Sequence, residues 1–505
     1  MYRLLTICFL VAKIASAGCG TETANYGGRT IVVVDGLSGG KDLGDQLHRA
    51  GANAIHLQSD VQTGSRLGRS FKADKWGGLF VNSHGDNLES LAREMGTLNP
   101  AVFIAGAETG VTLANQLNKH YGIHDWVYPY DPRDKYEVNE ILSKPMMDDD
   151  GVVRTLRTAR QFKSSNREAL TRWALAEIER SRTPDRAGRV VIKPASGGGS
   201  YGVRTCYDAQ DVHEAFDAIF HHENPYHLID EDIIAMQFLP GREMVVDVIC
   251  WQGRCVVAEF FDYDKFQLDR GPMFYHWDEI LALRTLRHPV VQYGLRGMRR
   301  LGNPNGLYHL EIMWEGVKGL DIPLNELAQL DLNWDDPTVA ANVIEPAMVE
   351  VNHRGRGGIG PAKISKRLIA GGVNEYDIIA DVLANPANPQ LFLSRLGRGY
   401  DLDGKGFIIN VNTPKPGMKV APPEKWLPRL RELESFDITQ YPSNISMNYD
   451  PGDDAPHTIT MGTAWGEIAI SQKYNGRSPA QVRESVLRDA QRIKKMETDR
   501  VFWVE

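Results

Sequence analysis

Residues 190–202 read Val-Val-Ile-Lys-Pro-Ala-Ser-Gly-Gly-Gly-Ser-Tyr-Gly, and no other stretch restricts the fold as narrowly. The β-branched apolar run reads as a buried strand ending at Lys193. A loop rich in glycine and serine spans residues 196–202. Val203-Arg204-Thr205-Cys206 then reads as a second strand, so the stretch predicts a hairpin. Glycines let main-chain N–H groups crowd around an anion with no Cβ in the way, and the lysine adds a fixed positive charge. That combination suits phosphate. It is not a P-loop, because the lysine precedes the glycines and no helix start follows. A glycine-rich turn without a ligand fits the same residues, so both readings stay open at this point.

The rest of the chain has the length for such a hairpin to sit in one of several domains. It has 505 residues, enough for two to four domains on ordinary domain sizes, and a composition typical of globular proteins. A formal net charge of -8 argues against non-specific nucleic-acid binding and against a polybasic membrane anchor. No apolar run reaches the length of a membrane-spanning helix. The five cysteines, Cys8, Cys19, Cys206, Cys250 and Cys255, contain no C-x-x-C pair and do not read as a disulfide framework or a zinc site. A reducing compartment is the simpler inference. The first residues resemble a short secretory signal with Ala15-Ser16-Ala17 as a cleavage site, although Lys13 interrupts its apolar part.

Read in order, residues 30–34, 54–57, 78–81 and 101–105 are strands, and 42–50, 88–95 and 111–118 are helices. The alternation predicts a parallel α/β sheet. Its loops, including Gly106-Ala107-Glu108-Thr109-Gly110, follow strands at the edge where open α/β sheets bind ligands; a plain turn into a helix fits that loop equally. Residues 131–142 open a helix with Arg133-Asp134-Lys135-Tyr136, and residues 154–181 read as helical. Residues 233–239 are a strand, 244–250 and 255–261 an antiparallel hairpin, 290–301 a helix and 308–314 a strand. A polar excursion spans 318–342, and 347–352 is again a strand. From about residue 386 the pattern changes to a small α+β region with strands at 407–411 and 468–470, further elements at 427–433 and 458–461, and an amphipathic helix at 479–496.

Three oxygen-bearing side chains stand out. Glu350 and Asn352 are two apart in a strand and share a face. If the strand of Glu311 lies beside theirs, two carboxylates and an amide converge, a donor set suited to Mg²⁺ bridged to phosphate. The same acids would also fit the solvent face of an antiparallel sheet.

Taken together the motifs resemble the ATP-grasp carboxylate–amine ligases, most of all the bacterial L-amino-acid ligases that make dipeptides. The resemblance covers about residues 29–501. It is carried by Val33-Val34-Asp35, residues 104–111, Arg133-Asp134-Lys135-Tyr136, Val191-Ile192-Lys193-Pro194 with the glycine loop, Phe238-Leu239-Pro240-Gly241-Arg242-Glu243, His309-Leu310-Glu311, and Val349-Glu350-Val351-Asn352-His353-Arg354. It implies an ATP-grasp fold, α/β and α+β in class. Residues 29–130 would be an open parallel α/β domain, 131–385 the ATP-grasp domain with a flap subdomain at about 150–240, and 386–505 a small C-terminal α+β domain. Residues 1–28 would lie outside the fold.

The resemblance also implies roles. Lys135 and Lys193 would contact ATP phosphates from two sides. Ser196, Gly197, Gly198, Gly199 and Ser200 would close over them as a flap. Gln237, Phe238 and Leu239 would meet adenine and Glu243 the ribose. Glu311, Glu350 and Asn352 would hold Mg²⁺, with Mn²⁺ as a substitute. Arg354 would stabilise the transferred phosphate and the tetrahedral intermediate, and His309 would contact substrate.

The implied reaction joins a carboxylate, expected to be an amino acid, to an amine through an acyl-phosphate. The alternatives are an ATP-grasp enzyme acting on another carboxylate, a kinase-like phosphoryl transfer, and a non-catalytic ATP-binding module. The implied partners are small molecules, with no nucleic acid and no membrane, and a homodimer as the expected assembly. Because ATP is scarce outside the cytoplasm, the expected location is cytoplasmic.

Overall fold

The computed structural model describes residues 28–504 apart from 61–70, 148–150, 225–228, 268–272, 321, 328–329, 331, 359, 414–416, 456–457 and 459–463. The expected leader and most of the element at 458–461 lie outside the described residues. Residues up to Val127 together with Tyr376–Leu393 form one unit, and Tyr128–Glu375 with the chain from Ser394 onward form another.

In the first unit β1 (Thr30–Val34), β2 (Asn53–Gln58), β3 (Gly78–Val81) and β4 (Val102–Ala105) make a parallel sheet in the order β3-β2-β1-β4. The central strand is β-branched and buried on both faces, with Ile31 to Val34 fully inaccessible, as a parallel sheet covered by helices requires. The helices Leu88–Gly96 and Val111–His120 supply Leu91, Met95, Ala114 and Leu117 to its core. Asn118 accepts from Phe103 N–H (3.0 Å) and donates to Phe103 C=O (2.7 Å), which satisfies the outer edge of β4. The glycines of the strand-end loops serve close packing: a Cβ on Gly106 would lie 2.6 Å from the Asp35 carbonyl oxygen, and one on Gly110 would lie 2.3 Å from that of Val34.

The second unit opens with the short pair β5 (Met146–Met147) and β6 (Val153–Arg154), followed by β7 (Gln161–Ser164), β8 (Val190–Pro194), β9 (Arg204–Cys206) and β10 (Ile233–Gln237). The last four form an antiparallel sheet in the order β7-β10-β8-β9. The glycine stretch is therefore the β8–β9 hairpin that the sequence predicts. Residues 154–181 depart from their expectation. Only Arg167–Ser181 is helical, started by Asn166, whose side chain accepts from Ala169 N–H, while β7 pairs with β10. The Arg- and Glu-rich composition hid a strand held by tertiary pairing, which outweighs local helix propensity.

The remaining strands are β11 (Arg242–Trp251), β12 (Arg254–Gln267), β13 (Met273–Ile280), β14 (Gly306–Trp314), β15 (Ala347–Asn352), β16 (Gly404–Val411), β17 (Met418–Val420), β18 (Ile445–Met447), β19 (Asp454–Ala455), β20 (Gly466–Lys473) and β21 (Trp503–Val504). One sheet runs β15-β14-β11-β12-β13-β16-β20-β18, so the strands after residue 386 extend this sheet, and only β19-β17-β21 forms a separate small sheet. The helix Pro479–Thr498 packs on β16 and β20, and Ser478 with Gln481 closes its first turn as a reciprocal capping box.

The excursion at 318–342 holds two short helices, Leu324–Leu327 and Pro337–Ala340. It leaves β14 and returns to β15 through main-chain bonds at its neck, Ile344 N–H to Gly316 C=O (2.9 Å) and Lys318 N–H to Asn342 C=O (2.8 Å).

Cys250 and Cys255 are direct partners on β11 and β12 and are disulfide-bonded, contrary to the expectation of unpaired cysteines. The hairpin register places them opposite one another, which spacing alone does not reveal. Among the described residues no helix is long and apolar enough to cross a membrane.

Candidate active site

Antiparallel partners share a face, so the register of the large sheet lays out its chemistry in rows. Glu311 on β14 is the direct partner of Glu350 on β15, and His309 is the partner of Asn352. The convergence that the sequence made conditional on neighbouring strands is therefore present. On the other side of β14, His309 faces Asp247 of β11, and Glu243 lies two residues further along β11 from Val245, the partner of Glu311. Asn352, His309 and Glu243 are buried.

Two lysines neutralise these acids. Lys135 Nζ lies 3.1 Å from Glu350 Oε2 and also donates to the Gly197 carbonyl, so one side chain joins the acids to the glycine loop. It occupies the first turn of the helix Lys135–Ser143, whose N-cap Asp134 accepts from Tyr136 and Glu137 N–H. Lys265 on β12 donates to Glu243 and lies 4.0 Å from Glu311 Oε2, with its ammonium 4.2 Å from the centre of the Tyr275 ring. Burial alone would lower the Lys265 pKa, but Glu243, Tyr275 and Glu311 raise it well above the usual range. Lys265 is the residue that reading the sequence missed. Its strand continues past Phe261, where the hairpin was expected to end, and Lys265 lies two residues beyond Tyr263, the partner of Glu243, on the same face. The alternation of Tyr263 and Lys265 was the available signal.

Burial raises Glu243 to about 7, with Lys265 opposing and Glu311 reinforcing that rise. Burial also works against ionised Glu311, yet Lys265, His309 and Lys135 outweigh it and hold this carboxyl below its usual range. Burial lowers Lys193 to about 8, partly offset by Glu350. His309 is raised although burial opposes it, because Asp247 Oδ1 lies 2.7 Å from its Nδ1 and Glu311 Oε1 lies 3.6 Å from its Nε2.

The glycine loop is tied down at its start. Arg133 donates to the Ser196 carbonyl (2.7 Å), and Lys135 N–H donates to the Ala195 carbonyl (3.2 Å). Gly199, Ser200 and Gly202 adopt positive φ of 58, 60 and 68°, and Gly198, Gly199 and Ser200 are partly or fully exposed. Gly197 sits against Pro194, where a Cβ would come within 2.4 Å of a ring carbon.

The segment expected to meet adenine ends β10. Gln237 exchanges bonds with Arg160, Phe238 lies under the Arg189 guanidinium at 3.6 Å, and Leu239 joins an apolar cluster with Ile234, Met236 and Ala347, against which Met313 and Val349 pack. This cluster links the sheet of β10 to the large sheet that holds β14 and β15. Arg354 turns its guanidinium to the Gly355 carbonyl (2.7 Å). Arg356, two residues on, is buried, bonds Asp278 (2.7 Å) and stacks 3.8 Å from the Phe261 ring.

The donor set fits a magnesium ion bridged to phosphate. Two carboxylates and an amide share one face, and both carboxylates are matched here by lysine ammonium groups, showing that the position calls for positive charge. Among the described residues no group of three or more His, Cys, Asp or Glu is placed to hold a metal ion, so phosphate oxygens would have to complete the shell.

The ATP-grasp domain family matches residues 187–327, from the glycine hairpin to the start of the excursion. The chain is 23% identical over 452 residues to dapdiamide A synthase of Enterobacter agglomerans, covering 87% of this chain and 90% of that protein. In fold it is similar to the L-amino acid ligase of Bacillus licheniformis, with a TM-score of 0.58 at 14% identity over 90% of this chain and 96% of that one. It is also similar to a carboxyaminoimidazole ribonucleotide synthase from Aspergillus clavatus solved with ATP, with a TM-score of 0.56 at 12% identity over 93% of this chain and 100% of that one. Residues 187–327 thus match the ATP-grasp domain family, and the chain as a whole has the fold of these ligases and synthases.

Proposed function

We propose that this protein is an ATP-dependent ligase that joins a carboxylate, expected to be an amino acid, to an amine. The observation that carries the reading is the register pair Glu311–Glu350, bound through Lys135 to the glycine loop. Phosphoryl transfer asks a protein for positioning and charge neutralisation more than for covalent help, and lysines, paired acids and a mobile glycine loop supply both.

In the first step a substrate carboxylate oxygen attacks the γ-phosphorus of ATP, the bond to the bridging oxygen breaks and ADP leaves. In the second, the amine nitrogen attacks the acyl-phosphate carbonyl, phosphate leaves with the bonding electrons and the amine proton passes to solvent. Lys135 and Lys193 hold the phosphates from two sides. The loop at 196–202 covers them and excludes water. Glu311, Glu350 and Asn352 would hold Mg²⁺, which when bound supplies charge neutralisation at the phosphates. The apolar cluster around Leu239 receives adenine, Glu243 the ribose, and Arg354 the transferred phosphate. The domain plan is an N-terminal α/β domain, an ATP-grasp domain with residues 150–240 as flap, and a C-terminal α+β region built onto its sheet.

Purified protein with ATP and Mg²⁺ is expected to release phosphate and form an amide only when an acid and an amine are supplied together. Screening amino-acid pairs by mass spectrometry checks this, and phosphate release with no amide across the panel rejects it. The partners are small molecules, the expected assembly is a homodimer, tested by light scattering, and the location follows ATP into the cytoplasm. The natural protein's N-terminal residue and the thiol state of Cys250 and Cys255 in its own cells test that placement.

A further inference from the structure

The sheet of β7, β10, β8 and β9 turns one face towards the large sheet, and the ladder orders that face rung by rung. Lys193 pairs with Ile234, and Val191 with Met236. Alternation puts these four side chains on one side. Ile234 and Met236 cluster there with Ala347 of the large sheet, and Val191, Met313 and Val349 pack against them. Arg189 and Phe238 follow two residues further along each chain. Their side chains meet, with the guanidinium carbon of Arg189 3.6 Å from the centre of the Phe238 ring. By the same alternation Lys193, Val191 and Arg189 form a line. At about 3.3 Å per residue it runs about 13 Å from Lys193 to Arg189. An extended nucleoside diphosphate spans a similar length. With its phosphates at Lys193, its base comes to Arg189.

Arg189 is held in place but not satisfied. Its N–H donates to Ser181 Oγ (3.0 Å) and its carbonyl accepts from that hydroxyl (3.2 Å), which sets the residue at the start of β8. Its Nε is buried and has no hydrogen-bond partner. Among the described residues no carboxylate forms an ion pair with it. A buried donor without an acceptor is costly. The other arginines at this end differ. Arg160 is taken by Glu177, to which its Nε donates at 3.0 Å. Arg186 is exposed and lies 5.8 Å from the centre of the same ring. A guanidinium lying over an aromatic ring still has a second flat face and a donor edge. A nucleobase complements both, with a flat ring and acceptor nitrogens in its plane.

We propose that Arg189, carried on Phe238, recognises the base of the nucleotide, its Nε–H donating to a purine ring nitrogen. This role rests on the ATP reading for the ligand and adds to it the residue that grips the base. It also changes the part of Phe238. The ring expected to meet adenine is covered by the guanidinium, so it serves as the platform beneath Arg189.

Calorimetric titration of the full chain with Mg²⁺ compares two probes, ADP and ribose 5-diphosphate, which is ADP without its base. Arg189→Met is expected to weaken ADP about tenfold or more and to leave ribose 5-diphosphate unchanged, the selective loss that follows from removing a charged hydrogen bond to the base. Arg189→Lys keeps the charge without the planar group and is expected to lose ADP affinity in the same way. Equal weakening of both probes makes Arg189 a general attractor of phosphate. Full ADP affinity in Arg189→Lys makes it a bare charge. Unchanged or tighter ADP in Arg189→Met makes the pair a surface contact or leaves the base to Phe238. Each of these overturns the proposal. The wild type decides even where both variants fail to fold: ADP is expected to protect Arg189 from phenylglyoxal, read by peptide mass spectrometry, and undiminished labelling overturns the role. If neither probe binds, the ATP reading falls and this role with it. If ADP binds and Arg189 is indifferent to it, only this role falls.

Discussion

Lys193 shows how much of the site depends on where a residue is placed and how little on what it is. At the end of β8 it is 5% exposed, and burial brings its pKa down to about 8. A lysine with a depressed pKa is charged below that value and neutral above it, so nucleotide affinity should fall as pH rises through about 8. A bound phosphate favours the charged form and moves the transition upward. Lys193→Arg keeps its charge throughout this range, so ADP affinity measured by calorimetry from about pH 7 to about pH 10 should be flat in the variant and falling in the wild type. A flat wild-type profile would remove Lys193 from the phosphate site. Glu350→Gln keeps shape and loses charge, and turnover should drop by about 10²–10³-fold while ADP still binds. Unchanged turnover would take Glu350 out of the chemistry. At this scale Glu350 and Asn352 were readable because strand alternation fixes which side chains share a face, while Glu311 waited on which strand lies beside theirs. Lys265 was not, because its strand β12 runs on past the expected end of the hairpin, to Gln267.

Among the elements, the β8–β9 hairpin was the most legible. A β-branched run, glycines and a second short run leave few other foldings. Its loop is pinned by Arg133 and Lys135 at one end and carries positive φ at Gly199, Ser200 and Gly202. Main-chain N–H groups of residues 196–202 should exchange hydrogen quickly in the free protein and slow down about tenfold or more when ADP and Mg²⁺ are added. Hydrogen-exchange mass spectrometry reads this directly, and equal exchange in both states would make the loop a plain turn. The stretch at 154–181 was the least legible. Phe162 and its neighbours pair with β10, a partner some 70 residues away, and no local signal in an Arg- and Glu-rich segment announces it.

At the scale of the molecule, the sheet passes through the point where the sequence suggested a new domain. β16 pairs with β13 and with β20, so the C-terminal strands complete the sheet that carries the acids. Phe407, Ile409 and Ile468 belong to a core against which Trp277 of β13 packs. A chain ending at Asp403 loses that core and leaves β13 as an open edge, a template for aggregation. It is expected to be insoluble or to aggregate on size-exclusion chromatography. A soluble monomer with the melting temperature of the full chain would show that the C-terminal region is independent after all.

The sequence by itself determined the parallel α/β arrangement of the first strands, the glycine hairpin and the pairing of Glu350 with Asn352 on one face. Each follows from local periodicity or backbone freedom, which short-range sterics impose. Only the tertiary structure decided that Glu311 lies opposite Glu350 across the excursion at 318–342, closed by main-chain bonds at its neck. It alone placed Lys265 among the acids, joined Cys250 to Cys255, and buried Asp247, Glu259 and Glu375 together. Those are statements of register and burial, set by which strands become neighbours, and no window of sequence contains both partners.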